Sequence, residues 1–284
     1  MKRKIQFYLF ACIFMHFNVY AQYGKINTNK AKALMSGKIK VITQKNDTNG
    51  YNEALKFSIE KNWNASQYEY ISDDNLNSIV PVGNDAYLFG YFTGIIENSK
   101  YVISNIYIFG VVNKNRGYKY YRTAKDLSSV MFMPFVGIDK NYLKEYLSLY
   151  VKIINWSIKL VANEPNLCSN IMWITKYANK FTGKVKSSKL LICDKDFYVE
   201  DKTKIKKYTS PYEVVTRERI AKAITDNEDV YIYILSEFSA TFSSHQIVNA
   251  KTGELIFQQT GNLNVGKAQI RIFNKLSQAK VETN

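Results

Sequence analysis

The chain has 284 residues, 46% of them hydrophobic, with 22 Tyr and 16 Phe, and it carries 39 Lys+Arg against 24 Asp+Glu. This composition excludes a disordered chain and suffices for one large domain or two small ones with a real core, its aromatics favouring half-buried strands. Three Cys and two His exclude a zinc site built mainly from histidines.

The first element is a leader. MKRKIQFYLFACIFMHFNVYAQ opens with Lys2, Arg3 and Lys4, turns apolar from Ile5 and closes on Val19-Tyr20-Ala21. Those are the parts of an export signal, so residues 1–21 are expected to be removed between Ala21 and Gln22. The competing reading is an uncleaved anchor, for which the apolar core is short. Leu9-Phe10-Ala11-Cys12 has the outline of a lipobox, but too little apolar sequence precedes Cys12 and more follows it.

Processing leaves 36 Lys+Arg against 24 Asp+Glu, a net charge of about +12. Outside the cytoplasm such a surface meets anionic lipid, lipopolysaccharide or anionic glycan more readily than nucleic acid. No run of five basic residues occurs, so scattered solvated lysines are the favoured reading. Cys168, Cys193 and His245 also remain. The compartment permits a Cys168–Cys193 disulfide. Cys193 ends the apolar run KLLIC, so a buried free thiol is equally open.

Two stretches resemble each other 144 residues apart: YEYISDDNLNSIV (68–80) and YEVVTRERIAKAI (212–224). Over 68–92 and 212–236, Tyr68/Tyr212, Glu69/Glu213, Asp85/Asp229 and Tyr87/Tyr231 are identical. In each copy an extended segment reaches Ser72 or Thr216, a helix-capping residue, and an acid follows in the first turn. The predicted unit is strand, helix, strand. Upstream, GKIKVITQKND (37–47) and SSKLLICDKD (187–196) each supply a strand. NEALKFSIEKNW (52–63) supplies a helix with Ala54, Leu55, Phe57, Ser58 and Ile59 on its buried face. VEDKTKIKKYTS in the second copy is a weaker helix candidate. Downstream lie hairpins at 106–122 and 245–259, whose Gly117 and Gly253 fit positive φ.

The expected fold is therefore α/β: two related βαβαβββ-type domains with mixed sheets, 22–135 and 186–284, joined by a helical connector, 136–185. Within the connector, YLKEYLSLYVKIINWSIKLVA (142–162) places Lys144, Ser148, Lys152, Asn155 and Lys159 at steps of four, four, three and four. That is one narrow polar stripe on an otherwise apolar helix. It suits a helix buried between sheets with its lysines facing water, or a helix lying in a membrane interface. A membrane span is excluded by three lysines within one hydrocarbon thickness. SNIMWITKYANKF (169–181) is a second helix candidate.

Candidate chemistry is sparse. Asp194, Asp196, Glu200 and Asp201 follow a strand end, where α/β folds often carry function, and four acids could hold calcium or magnesium. Lys195 and Lys202 interrupt them, so a solvated loop is favoured. Asp73-Asp74 read as helix-start residues. His245 neighbours Ser243 and Ser244, but adjacency along a strand does not orient a base towards a nucleophile. No phosphate loop, Gly-x-Ser-x-Gly elbow or His-Glu-x-x-His occurs. No cofactor, metal or catalytic residue is assigned; a lysine- or carboxylate-based activity stays open.

Three patterns of the second half resemble one family group. They are Arg217-Glu218-Arg219-Ile220 at a helix start, Asp229-Val230-Tyr231-Ile232 opening a strand, and Asn249-Ala250-Lys251-Thr252-Gly253-Glu254-Leu255 closing a hairpin. The chain is similar here to the small periplasmic α/β domain of the TolB amino-terminal domain, the curli secretion-channel subunit CsgG and the LpoB-type activators of penicillin-binding proteins. The likeness covers 190–260 well and 37–122 more loosely. It implies a non-enzymatic envelope protein, periplasmic or secreted and open to outer-membrane association, acting as an adaptor or assembly accessory on other envelope proteins. The alternatives are a membrane-surface or polyanion binder using helix 142–162, and a secretion-channel component.

Overall fold

Four apolar residues in succession, Leu190–Cys193, suit a strand covered on both faces. In the computed structural model they form an inner strand, next to the edge, of a five-stranded sheet. The structure describes residues 28–78, 87–98, 101–113, 131–134, 140–164, 179–200, 202–205, 208–239, 242–261 and 265–278. It is of mixed α/β class. In order come α1 (Thr28–Ser36), β1 (Lys38–Thr43), α2 (Tyr51–Asn62), β2 (Gln67–Ser72), β3 (Tyr87–Asn98), β4 (Tyr101–Asn113), β5 (Met131–Pro134) and α3 (Leu143–Asn163). There follow β6 (Leu190–Cys193), β7 (Tyr212–Val215), α4 (Arg217–Thr225), β8 (Tyr231–Ser239), β9 (Phe242–Asn249), β10 (Leu255–Gly261) and α5 (Val265–Gln278).

The strands form two sheets, ordered β2-β1-β3-β4-β5 and β7-β6-β8-β9-β10. In each, the first strand runs parallel to both neighbours and the last three strands are antiparallel. Tyr68 lies opposite Ile39 on the outer strand of one sheet, and Tyr212 lies opposite Leu190 on the outer strand of the other. The two halves differ in their crossovers. Thr216 caps α4 by accepting from the Arg219 amide at 3.4 Å, whereas Ser72 leads only into a 3-10 helix, Asp73–Ser78. Between β6 and β7 the second half has two short 3-10 turns, Asp194–Asp196 and Lys202–Ile205.

Period-two alternation sorts the second sheet between two interiors. Leu191, Cys193, Ile232, Ile234 and Val248 face one cluster; Leu190, Ile192, Tyr231, Tyr233 and Ile247 face another beneath α5, with Phe257, Ile272 and Phe273. The first cluster also takes Ile39 and Val41 of β1, Leu55 and Ile59 of α2, Ile220 and Ile224 of α4, and most of α3. Helices α2, α3 and α4 thus lie between the sheets, and one interior runs from β1 to β9. The segment expected as a connector contributes its helix α3 to that interior: Leu147, Leu149–Ile154, Ser157, Ile158, Val161 and Ala162 are buried. Of the second helix candidate, 169–178 lies outside the described residues, and Asn179–Ser187 is a 3-10 helix.

Candidate functional site: a lysine-lined cleft on helix α3

Side chains four apart on a helix share a face. On α3 this aligns Lys144, Ser148 and Lys152; on α2 it aligns Phe57 and Lys61. Where these faces meet the carboxyl end of α4, a cleft of about 120 Å³ opens, bounded also by Asn62, Glu145, Ile224 and Thr225. Phe57, expected on the buried face of α2, is half-buried and forms the wall. Lys144 Nζ stands 3.8 Å from the centroid of its ring and Lys61 Nζ 5.4 Å, so two cations share one aromatic ring.

Lys152 is the unusual member, with only 6% of its surface exposed. Its Nζ donates to Ala250 O at 2.8 Å, Asn227 Oδ1 at 2.7 Å and Ile224 O at 3.2 Å. Three donors meet three acceptors, and one acceptor is a terminal carbonyl of α4, where the helix dipole favours a cation. Asn227 reaches this position with φ at 52°. Burial pulls the ammonium pKa down to about 8, and the charge of Lys61 adds to the fall. The three acceptors favour the protonated form at neutral pH.

Of the rest of the stripe, Ser148 is buried while Lys144, Asn155 and Lys159 are half-buried, so the expectation that the lysines face water fails at Lys152. Ser148 Oγ is buried, donates to Lys144 O at 2.8 Å and lies 3.1 Å from Ser58 Oγ. Asn155 Nδ2 donates to Asn64 Oδ1 at 2.9 Å, and Lys159 Nζ does so at 2.6 Å. The physical reason is that α4 and the β9–β10 turn cover this part of α3, so the Lys152 ammonium is matched to carbonyl and amide oxygens there. The same coverage corrects the membrane-interface reading of 142–162, since the apolar face that would enter lipid is packed in the core. No helix among the described residues is long and apolar enough to cross a membrane.

Two further contacts fix the frame. Tyr142, at the start of α3, donates to Glu218 in the first turn of α4, and this bond holds the Glu218 carboxyl down to about 2. In the β9–β10 turn, Asn249 Oδ1 accepts from the amides of Lys251 and Thr252, and its Nδ2 donates to Asp229. Gly253 has φ at +73°, as its position in the turn suggests; Gly117 lies outside the described residues.

The remaining sequence candidates are not drawn into this cleft. The structure does place His245 Nε2 3.0 Å from Ser243 Oγ, within an interior network. Gln269 donates to Tyr233 Oη at 3.1 Å, and Tyr233 Oη lies 2.5 Å from His245 Nδ1. Both ring nitrogens are thus engaged inside the fold, by Tyr233 and Ser243, and the histidine is a buried member of this network. Burial holds its pKa down to about 4. Cys193 is a buried free thiol 3.5 Å from Asp194 Oδ1, and burial raises its pKa, which disfavours the reactive thiolate. Cys168, Asp201, Ala21 and Gln22 lie outside the described residues. Asp194 and Asp196 occupy a 3-10 turn after β6, and among the described residues no three acids, histidines or cysteines group as metal ligands. The cleft itself combines the stripe legible on α3 with Phe57, Lys61 and the end of α4. No local sequence signal joins those three elements.

No family model, curated protein or solved structure matches the chain.

Proposed function

We propose that the chain is an exported, non-enzymatic envelope protein, periplasmic or secreted, that acts as an adaptor by strand pairing with another envelope protein. Residues 22–135 and 186–284 are the two copies of one duplicated unit in this reading, with 136–185 joining them. The common strand order of the two sheets supports it, as does the resemblance of 190–260 to envelope α/β domains. The observation that carries it is the outer edge of β7. Leu190 N–H bonds Pro211 O. By alternation, Glu213 and Val215 therefore turn their backbone groups to β6, while Tyr212 and Val214 turn theirs outward. Val214 also exposes 36% of its surface. An open edge of this kind receives an extended peptide by main-chain hydrogen bonds, and the basic surface favours an acidic one.

Immobilised mature chain, crosslinked in envelope extract and analysed by mass spectrometry, tests this. Val214→Pro removes one outward N–H at an edge where proline is tolerated. The expected outcome is a partner enriched by the parent chain and lost by V214P at unchanged circular dichroism. Equal capture by both chains, or no enriched partner, contradicts strand pairing.

A further inference from the structure

The cleft on α3 has an imbalance of charge that the fold does not correct. Elsewhere among the described residues, Lys38, Lys40, Lys45, Lys184, Lys189 and Lys222 all find carboxylates within 3.7 Å. Lys61, Lys144 and Lys152 converge on one cavity, and none of the three is ion-paired with a described carboxylate. Glu145 is the single acid on the lining. Lys152 spends its three donors on carbonyl and amide oxygens. Ser148 and Asn62 are also committed, to Lys144 O and Ser58 O. The groups left to meet a guest are the ammoniums of Lys144 and Lys61. Lys144 is steered by the Phe57 ring; Lys61 has one 3.4 Å contact, to Thr225 O.

Two converging ammoniums, a third charge behind them and no carboxylate partner describe an anion receptor. The volume accommodates a tetrahedral oxyanion with a few waters. Lysine recognises phosphate as a point charge, without the bidentate geometry that arginine would impose, so charge selects the guest more than shape does. We propose that the cleft binds a phosphate group, held between Lys61 and Lys144 against Phe57, with Lys152 supplying positive charge from the floor. The group could belong to a free phosphate or to a lipid phosphomonoester, and the test separates them. The inference does not depend on the adaptor reading, because β7 takes no part in it.

Titration calorimetry of the mature chain with inorganic phosphate at low ionic strength is the direct test, with a parallel flotation assay on vesicles containing phosphatidic acid. The parent chain should bind phosphate saturably. The double variant K61Q/K144Q should bind at least about tenfold more weakly, since it removes both ammoniums that hold the guest by charge-assisted bonds. K251Q/K267Q, which removes the same charge from exposed positions, should bind like the parent. Loss of vesicle binding in K61Q/K144Q alone would assign a lipid headgroup; phosphate binding without flotation would assign a soluble ligand. Equal weakening in both double variants, or no saturable binding in either assay, overturns the site.

Discussion

A Cβ placed on Gly253 would stand 2.3 Å from the carbonyl carbon of Lys152. The β9–β10 turn therefore rests directly on the backbone of α3, and the Lys152 side chain returns the contact through Ala250 O. First and second halves are locked at this point by backbone proximity and a buried ammonium together.

Replacement of Gly253 should consequently cost more than its φ alone. Gly50 is a built-in control: it holds φ at +72°, and a Cβ there would meet nothing within 4 Å. Gly50→Ala is expected to lose about 1–2 kcal/mol from left-handed strain. Gly253→Ala adds a backbone clash and should lose about 3–5 kcal/mol. Urea unfolding of the two variants checks the gap; equal losses would mean that the turn does not press on α3.

Lys152→Met keeps the aliphatic stem but strips buried Ala250 O of its Lys152 donor and leaves Ile224 O with backbone amide donors alone, an expected loss of about 2–4 kcal/mol. The pH dependence has a definite sign. The folded ammonium releases its proton near pH 8 and the unfolded one near 10.5. Between those values the unfolded chain binds more protons, so Lys152 makes stability rise with pH. The advantage of the parent over K152M in urea midpoint should therefore grow from pH 7.5 to pH 10. A constant or shrinking difference would contradict a desolvated ammonium.

His245 acts at the other end of the scale. It stays neutral in the fold to about pH 4, while an unfolded histidine takes up a proton near 6.5. Stability is thus lost as pH falls through that window, on the order of 2 kcal/mol between pH 7 and pH 5. His245→Gln should be less stable at pH 7 yet lose less on acidification, as read by paired urea curves. A variant with the same acid sensitivity as the parent would place the effect elsewhere.

The sequence was most readable where one local signal sufficed. The strands of KIKVIT and LLIC, helix α2 with its buried Ala54, Leu55, Ser58 and Ile59, the Thr216 cap and the Gly253 turn all follow from period, cap or φ. Ser72 looks like the same cap, but Asp73, Asp74, Asn75 and Asn77 are weak helix formers, and only a 3-10 helix forms. Helix α5 is missing from a reading that ends the second half at its hairpin, although Ala268, Ile272, Phe273 and Leu276 carry the helical period. The stripe on α3 was visible; its destination was not. Whether a lysine meets water or three carbonyls depends on α4 and the β9–β10 turn, which lie 72 and 98 residues away along the chain.

The central claim is that α3 sits inside one interior shared by both sheets. Native-state hydrogen exchange along α3 and β6 tests it most directly. The expected result is that amides of 147–162 and 190–193 open with the same, near-global free energy, and that K152M lowers both together. Exchange of 147–162 at a much lower free energy, with 190–193 still protected, would show a peripheral helix and contradict the shared core.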